Sequence, residues 1–202
     1  MTLPRDQVHA LWNWERCRNR IRTLKGKLGF PNEETLRFLK LRLSLSDGTI
    51  YDELKNKPYE GSEVTIYFIL YGHSNAKPSS ETAKLIPFQK LSGGEAYYDA
   101  FARRVIQPLT EHFGSNPQTL LEATSLLGGV PQAHGEFSAK IQALPLVPLT
   151  IVLWAKTAEF PASANILFES NANHYLTTEE LATLCGLTLI RLKDTTVFLR
   201  AK

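Results

Sequence analysis

The sequence has few of the residues that form disulfide or metal frameworks. Its 202 residues include two cysteines, Cys17 and Cys185, which lie far apart. Neither a disulfide framework nor a four-cysteine metal site can be built from them, so we expect two buried thiols. The five histidines fall in separate segments, and no pair has the i, i+4 spacing typical of a helical zinc site. We therefore predict no metal and no cofactor.

Long apolar runs are also missing. The longest, residues 64–71, is far shorter than the roughly 20 residues that a membrane helix requires. The first residues lack the apolar stretch of a secretory signal, so we expect a cytoplasmic protein with no membrane partner. The net charge of +3 is too small to indicate a polyanionic partner for the whole chain.

Catalytic signature motifs are missing as well. The stretch Leu-Ser-Gly-Gly-Glu at residues 91–95 resembles the signature loop of ATP-binding-cassette ATPases. That loop acts only opposite a phosphate-binding loop, and no G-x-x-x-x-G-K-[ST] occurs in the chain. No serine lies in a G-x-S-x-G elbow either. The sequence therefore supports neither nucleotide hydrolysis nor covalent catalysis.

The residues that are present predict an ordinary globular protein. Hydrophobic residues make up 43% and charged residues 21% of the chain, which is enough to bury a core. We expect an N-terminal basic helix within residues 1–30 and a single α+β domain over residues 31–202. An apolar stripe from Ala10 to Leu28, with Asp6 as N-cap, predicts that first helix.

Local patterns predict the next elements. Leu41, Leu43 and Leu45 alternate with polar residues before Asp47-Gly48, which predicts a β-hairpin with a two-residue turn. The propensities of residues 64–71 fit a strand or a helix, and a buried helix is favoured. Residues 85–91 read as a short strand. A helix is predicted to begin just after Gly94 and to be broken or kinked at Pro108.

The second half contains further strands and one well-marked helix start. Pro117 opens a predicted helix that ends near Gly128, and strands follow over residues 137–143 and 149–154. Thr177 and Glu180 form a capping box, so a helix begins at Thr178. It either stops at Gly186, with residues 187–200 forming a hairpin, or continues. The mixture indicates an α+β fold with a mixed or antiparallel sheet.

The paired glycines are the first candidate site. Gly93 and Gly94 let the backbone turn into a helix whose first amide protons could hold a carboxylate or phosphate. The plainer interpretation is a tight turn satisfied by Ser92 or by water. The residues that we predict to bind a ligand are Gly93, Gly94, Tyr98, Arg103 and Asn165.

Residues 158–176 form a predicted Pro- and Asn-rich connection and contain the second candidate site. It holds Glu159, Glu169 and His174, which could perform acid–base chemistry if burial shifted their pKa values towards neutrality. The alternative is a surface loop whose polar side chains cap turns. These three residues are the weak catalytic candidates, and whether the protein is an enzyme stays open.

The basic N-terminal segment is the third candidate. Residues 5–27 carry seven basic and two acidic side chains, and the segment could contact phosphates. A solvated helix face is the favoured interpretation, so nucleic acid is not the expected partner. Trp12 and Trp14 fall on different sides of the predicted helix, so one of them is available to contact a partner subunit. The sequence therefore leaves open whether the protein forms a homodimer.

The order of several segments resembles a known family. Residues 88–114, the Leu-Leu-Gly-Gly at 126–129 and residues 143–181 together resemble domain-of-unknown-function (DUF) family number 3786, an uncharacterised prokaryotic family found mostly in anaerobes. The similarity spans about residues 36–192. It implies an accessory role in anaerobic metabolism, because some relatives are fused to an iron-sulfur module of corrinoid and one-carbon metabolism.

This chain departs from the family pattern in three places. Lys156-Thr157-Ala158 replaces an acidic, glycine-containing lead, Glu169 stands where aspartate is expected, and no cluster-binding cysteines are attached. A cluster in this chain is therefore not expected.

Three functions follow as hypotheses. The first is an accessory protein of anaerobic metabolism that binds a small anionic ligand or a protein partner, with the glycine turn, Arg103 and Arg104, and the 159–174 loop converging on one hollow. The second is a small-molecule enzyme that uses Glu159, Glu169 or His174. The third is a nucleic-acid or protein docking module built on the basic helix.

Overall fold

A computed structural model describes residues 11–77, 79 and 84–200. Within them the helices are α1 (Trp14–Ile21), α2 (Glu63–His73), α3 (Gly94–Phe101), α4 (Gln107–Phe113), α5 (Gln118–Leu126), α6 (Ala172–Tyr175) and α7 (Thr178–Arg200). The strands are β1 (Thr35–Phe38), β2 (Leu41–Ser44), β3 (Ile50–Asp52), β4 (Lys57–Pro58), β5 (Leu85–Pro87), β6 (Val130–Pro131), β7 (Phe137–Leu144), β8 (Val147–Trp154) and β9 (Ser163–Glu169). This is an α+β fold with two antiparallel sheets, as predicted.

The first sheet is a four-stranded meander in the order β1-β2-β3-β4. Its hairpin between β2 and β3 confirms the prediction, and Leu43 pairs with Ile50. The two-residue turn is wrong, because the Ser44 amide donates to the Thr49 carbonyl at 2.9 Å and closes a four-residue loop over residues 45–48. Gly48 has a φ of +83°, and a side chain there would collide with Trp14.

The second sheet has the order β5-β9-β8-β7-β6. The predicted strands correspond to β7 and β8, and β8 is buried over all but its last residue. The predicted strand at residues 85–91 is strand only over β5, after which Phe88–Lys90 forms a 3-10 turn. β9 was not predicted. It lies inside the supposed connection of residues 158–176, where Ile166 and Phe168 are buried and Leu167 between them is partly exposed.

Helices pack on one face of this second sheet through aromatic side chains. Phe88 stacks on Phe101 of α3 at 3.9 Å between ring centroids and contacts Phe168 of β9 at 6.0 Å. Offset and tilted aromatic pairs of this kind are favourable arrangements in protein cores. The aromatic cluster fixes the position of α3 relative to the sheet.

A π-helical turn over Ala102–Ile106 joins α3 to α4, so the chain stays helical through Pro108. Of the two predicted alternatives at Pro108, the break is therefore wrong, whereas a kink stays a prediction. Proline has no amide proton and its ring clashes with the carbonyl four residues earlier in a regular α-helix. In the wider turn the Gln107 amide donates to the Ala102 carbonyl, five residues back. We attribute the continuity of the helix to this extra residue in the turn.

The long helix α7 begins where the capping box predicted. The Thr177 amide donates to the Glu180 carboxylate at 2.7 Å, and the Glu180 amide donates to the Thr177 hydroxyl at 3.3 Å. The helix continues to Arg200, so the predicted alternative of a hairpin over residues 187–200 is wrong. α7 packs against α2 and α5 and thereby connects the two halves of the chain.

The C-terminal half of α7 is attached to the four-stranded sheet by Arg191, which is fully buried. Its guanidinium donates two 2.7 Å hydrogen bonds to Asp52 of β3 and one of 3.0 Å to Asp194. It also donates to the Leu39 carbonyl at 3.1 Å. Burial alone would raise the pKa of Asp52, but the hydrogen bonds and charge of Arg191 outweigh it and hold this pKa below its usual range.

Within the described residues, the α-helix of the N-terminal segment ends earlier than predicted. Asn13 caps α1 by accepting from the Arg16 amide, and the predicted cap Asp6 lies outside the described residues. The helix ends at Ile21, a 3-10 turn follows, and Leu28 has a φ of +49°, so the apolar stripe continues without a helix. α2 confirms the favoured helix over residues 64–71. The domain boundary at residue 30 stays a prediction.

Candidate functional site

A cavity of about 220 Å³ lies where the α3–α4 segment, α2 and α7 meet. Apolar side chains and the glycine backbone form most of its wall: Phe101, Val105, Ala182, Gly186, Leu187 and Ile190. Its polar side chains are Thr65, Tyr97, Arg104 and Thr183. We call this space the helix pocket. It joins an apolar interior to one cationic group at its rim.

One wall of the helix pocket is formed by a single helical face. Tyr97, Phe101 and Val105 recur every four residues, so they lie above one another on a helix. Phe101 and Val105 also face the core and are nearly inaccessible to solvent. The π-helical turn contributes Arg104 and Val105 to the wall. Turns of this kind are rare and occur frequently at functional sites.

The opposite wall is one face of α7. Ala182, Gly186 and Ile190 recur every four residues and line the cavity together with Thr183 and Leu187. The Thr183 hydroxyl donates to the Glu179 carbonyl at 2.8 Å, so its oxygen can accept but its proton is used. Ile190 is 53% exposed and forms the outer edge of the pocket. The helix therefore contributes an apolar wall with little polar character.

Arg104 is the charged group of the helix pocket. It donates to the Tyr97 hydroxyl oxygen at 3.2 Å. Within the described residues, Arg104 makes no ion pair with a carboxylate, in contrast to Arg191. A guanidinium carries several N–H donors and no acceptor, and the hydroxyl that accepts from it keeps its own proton as a donor. The polar rim therefore has a surplus of donors and a positive charge.

The paired glycines form a turn that is attached to the asparagine-rich segment. Gly93 has a φ of +75°, and a side chain at Gly94 would collide with the Phe88 carbonyl, so glycine is required for geometric reasons. The Ser92 amide donates to the Asn173 side chain at 2.7 Å. The Thr178 hydroxyl donates to the Ser92 carbonyl at 2.5 Å. The glycine turn and the asparagine-rich segment are thus joined by hydrogen bonds. Neither Gly93 nor Gly94 lines the helix pocket.

The other predicted ligand-binding residues lie apart from the helix pocket lining. Tyr98 is half-buried and contacts the Phe101 ring, with 6.4 Å between centroids. Arg103 is exposed on the π-helical turn, next to Arg104. Asn165 lies on β9 opposite Val152. None of them lines the helix pocket. Their role in binding stays a prediction.

The three catalytic candidates are held by different partners. Glu159 is exposed in the loop before β9. Glu169 is nearly buried and pairs with Lys140 at 3.2 Å. The His174 ring bonds the Lys77 carbonyl at 2.9 Å and borders a separate, more open cleft of about 190 Å³, which Glu180 also lines. The acid–base hypothesis stays a prediction, and the contacts of these residues differ from one another.

The basic N-terminal segment is partly neutralised by internal contacts. Arg18 pairs with Glu15 at 3.1 Å, and Lys25 pairs with Glu34. Arg22 donates to the Leu45 carbonyl at 2.7 Å. Both tryptophans are also used within the chain: Trp12 packs on Phe68 and Tyr71 of α2, and Trp14 packs on Tyr67. These contacts attach the segment to α2 and the first sheet.

Sequence reasoning missed Tyr97 as a binding residue, and it named Arg104 only beside Arg103 in the first hypothesis, not among the predicted ligand-binding residues. Tyr97 and Arg104 lie beside the predicted Tyr98 and Arg103, and the helical period that includes Phe101 and Val105 would have separated them. Gly186 was considered as a helix end or as a position within a longer helix, and not as part of a site. Gly186 is the ninth residue of a well-capped helix, and a glycine inside a helix was the signal that could have indicated a site there.

The described residues contain neither a metal-binding cluster nor a membrane-spanning helix. No group of three or more histidine, cysteine, aspartate or glutamate residues within 11–77, 79 and 84–200 is arranged to hold a metal ion. In the same ranges no helix combines the length and apolar character needed to span a membrane. α7 has 23 residues, but charged residues interrupt it.

Comparison with known proteins gives one match. A family model described as a domain of unknown function (DUF3786) matches residues 25–191, which include every residue that lines the helix pocket. No curated protein and no solved structure matches the chain.

Proposed function

Because the chain belongs to the DUF3786 family, whose description names no activity, we propose from the helix pocket alone that the protein binds a small carboxylate. The ligand would place its anionic group at Arg104 and its apolar part between α3 and α7. This is a binding function, and no covalent step is part of it. It keeps the predicted class of ligand and moves the site from the glycine turn to the middle of the same helix.

The observation that carries the proposal is the state of Arg104. A guanidinium binds a carboxylate through two parallel hydrogen bonds, and charge-assisted bonds of this type are about twice as strong as neutral ones. Arg104 has donors left for such a pair, because its contact with Tyr97 uses one of them. The Tyr97 hydroxyl proton can add a third bond to the same carboxylate.

The chemistry of the rim favours a carboxylate over a cation. A cation would meet the positive charge of Arg104, and the Thr183 oxygen alone would not compensate for that repulsion. A large polyanion is also disfavoured, because the pocket is narrow and mainly apolar and offers one cationic side chain. A single small anion with an apolar body satisfies both halves of the site.

An accessory role in anaerobic metabolism stays a prediction from the resemblance described above. The same holds for a protein partner, a homodimer and a cytoplasmic location. Carboxylate binding is compatible with each of them and requires none. The alternative of acid–base catalysis by Glu159, Glu169 or His174 would use a different part of the surface, since none of the three lines the helix pocket.

The test is a titration of the protein with benzoate and with isobutyrate, followed by calorimetry or by amide chemical shifts. Arg104→Gln should weaken binding at least about tenfold, because a hydrogen bond to a charged group contributes about 1.5–3 kcal/mol. Arg103→Gln is the matched control. It removes the same charge from the neighbouring exposed position and should change the dissociation constant by less than about twofold.

Three results would contradict the proposal. The first is that neither carboxylate binds at millimolar concentration. The second is that Arg103→Gln and Arg104→Gln weaken binding equally, since this would indicate attraction to the general positive charge of the helix. Shift changes confined to residues outside α3 and α7 would also place the carboxylate elsewhere.

A further inference from the structure

Gly186 lacks the usual structural reasons for a glycine. It lies within α7, where glycine is a poor helix former compared with alanine. Its backbone does not have the positive φ found at Gly93 and Gly128. A Cβ added at Gly186 would have no described atom outside its own helix turn within 4 Å, whereas at Gly72 it would collide with Glu180. Neither conformation nor packing against the protein therefore requires glycine here.

Gly186 lines the helix pocket, and a Cβ at this position would meet open space. A residue that weakens a helix without a packing benefit is a local inconsistency, and such inconsistencies are expected at functional sites. The opposite wall carries a second one, since the π-helical turn replaces regular α-helix at Arg104 and Val105. Both walls therefore depart from the most stable helix at the same cavity.

The size of the cavity limits what can occupy it. An apolar cavity of about 150 Å³ is large enough to hold benzene. The helix pocket, at about 220 Å³, has room for one six-membered ring or a short branched chain together with a carboxylate at the rim. Phe101, Val105 and Leu187 offer apolar contact to such a group, with the bare backbone of Gly186 beside them.

We propose that Gly186 determines the ligand class of this pocket, by leaving room for the ring or branched end of a compact apolar carboxylate such as an arene or branched-chain acid. The inference rests on the proposed function, because Arg104 must hold the carboxylate for the apolar end to reach Gly186. The ligand therefore has a bulky apolar end, and a methyl group at position 186 of α7 would compete with that end for the same space.

The experiment compares Gly186→Ala with the parent protein, using acetate, isobutyrate and benzoate as probes. Alanine should raise the melting temperature by about 2–4 °C, because it replaces glycine in a helix interior. It should weaken benzoate binding about tenfold or more, since one extra methylene in a filled apolar pocket changes affinity by roughly 10–200-fold. Acetate, which does not reach Gly186, should bind within about twofold of the parent.

Val197→Ala is the matched control. Val197 lies on the same helix, is 66% exposed and does not line the pocket. Alanine is a better helix former than valine, so this change should also stabilise the protein, and it should leave the binding of all three acids unchanged. The control separates an effect of helix stability from an effect of pocket volume.

The outcomes distinguish the two proposals. If benzoate binds through Arg104 and Gly186→Ala leaves its affinity unchanged, the ligand-class inference is wrong and the proposed function stands. If inorganic phosphate binds in an Arg104-dependent way and benzoate does not, the site takes an anion without an apolar body, and the inference is again wrong. If no carboxylate binds the parent protein, the proposed function fails and the inference fails with it.

Discussion

The guanidinium of Arg191 is fully buried and donates to Asp52, Asp194 and the Leu39 carbonyl, whereas that of Arg104 is exposed at the edge of a cavity and donates to the Tyr97 hydroxyl. Arg191 lies on α7, and Arg104 lies on the π-helical turn between α3 and α4. The charge of Arg191 is paired with two carboxylates of the protein. Arg104 pairs with no carboxylate among the described residues, and it keeps N–H donors for further hydrogen bonds.

This difference separates structural from binding roles on physical grounds. A buried charge is tolerated only when it is paired and its donors are satisfied. An exposed arginine needs neither, because water solvates it, and its unused donors are available for a ligand. The proposal for Arg104 therefore rests on its unused donors beside an apolar cavity, and not on the residue type.

The largest expected effect concerns the pair around Arg191. Asp52→Ala should lower the free energy of unfolding by about 3–5 kcal/mol, because it leaves a buried guanidinium without its main counter-charge. Urea denaturation followed by circular dichroism measures the change. Lys57→Ala, which breaks the exposed pair with Glu60, serves as a control and should cost less than about 0.5 kcal/mol.

A double variant sharpens this prediction. Replacing Asp52 by Leu and Arg191 by Met removes both charges together, and the loss should be clearly smaller than for Asp52→Ala, because no unpaired charge stays buried. Equal losses would indicate that packing around the pair, and not the charge left behind, determines stability at this site.

His73 is a third case, in which a polar side chain is buried without satisfied donors. It is fully buried on α2 between the rings of Phe30 and Tyr175. Neither ring nitrogen makes a well-formed hydrogen bond with a described residue. Burial lowers the pKa of His73 from 6.5 to about 4, and the nearby Tyr175 backbone offsets this only in part.

The depressed pKa predicts acid sensitivity. The native state keeps His73 neutral, whereas the unfolded chain takes up a proton at this histidine below pH 6.5. The contribution of neutral His73 to the free energy of unfolding is therefore complete above pH 6.5 and is lost as the pH falls towards 4. The loss should be on the order of 3 kcal/mol. His73→Leu should remove this part of the pH dependence of unfolding, while His134→Gln, at an exposed histidine, should leave it in place. An unchanged slope in His73→Leu would contradict the assignment.

Short-range patterns predicted many of the elements correctly. The capping box at Thr177 and Glu180 marked the start of α7, and the alternation before Asp47-Gly48 marked the first hairpin. Both signals depend on neighbours within a few residues. Local rules failed where distant contacts decide the outcome: β9 lies within a stretch that was interpreted as a connection, and it is a strand because β5 and β8 pair with it.

The candidate site was predictable only in part for the same reason. The sequence indicated the helix after Gly94, since this depends on local features. It left open whether α7 ends at Gly186 or continues, and it did not indicate that this face lies opposite Arg104, because that depends on tertiary packing. Similarly, nothing near Arg191 in the sequence identifies Asp52, 139 residues away, as its partner.

A medium effect is expected at the end of α7 nearest the helix pocket. Thr177→Ala removes the hydroxyl that accepts from the Glu180 amide, and loss of such a cap costs about 1 kcal/mol. Hydrogen exchange should become faster in the first turn of α7 and stay slow around Arg191, which Asp52 holds independently. Equal acceleration along the whole helix would show that the two ends of α7 are not independent.

The smallest expected effect on stability belongs to Arg104 itself. Arg104→Gln should change the free energy of unfolding by less than about 0.5 kcal/mol, because the side chain is exposed and loses one hydrogen bond to a hydroxyl. The same substitution at Arg191 should cost several times more, since glutamine cannot satisfy Asp52 there. Urea denaturation of the two variants under one set of conditions measures the contrast directly. A large loss of unfolding free energy for Arg104→Gln would mean that Arg104, like Arg191, has a structural role. Arg104 would then not be a cationic group available to a ligand in the helix pocket.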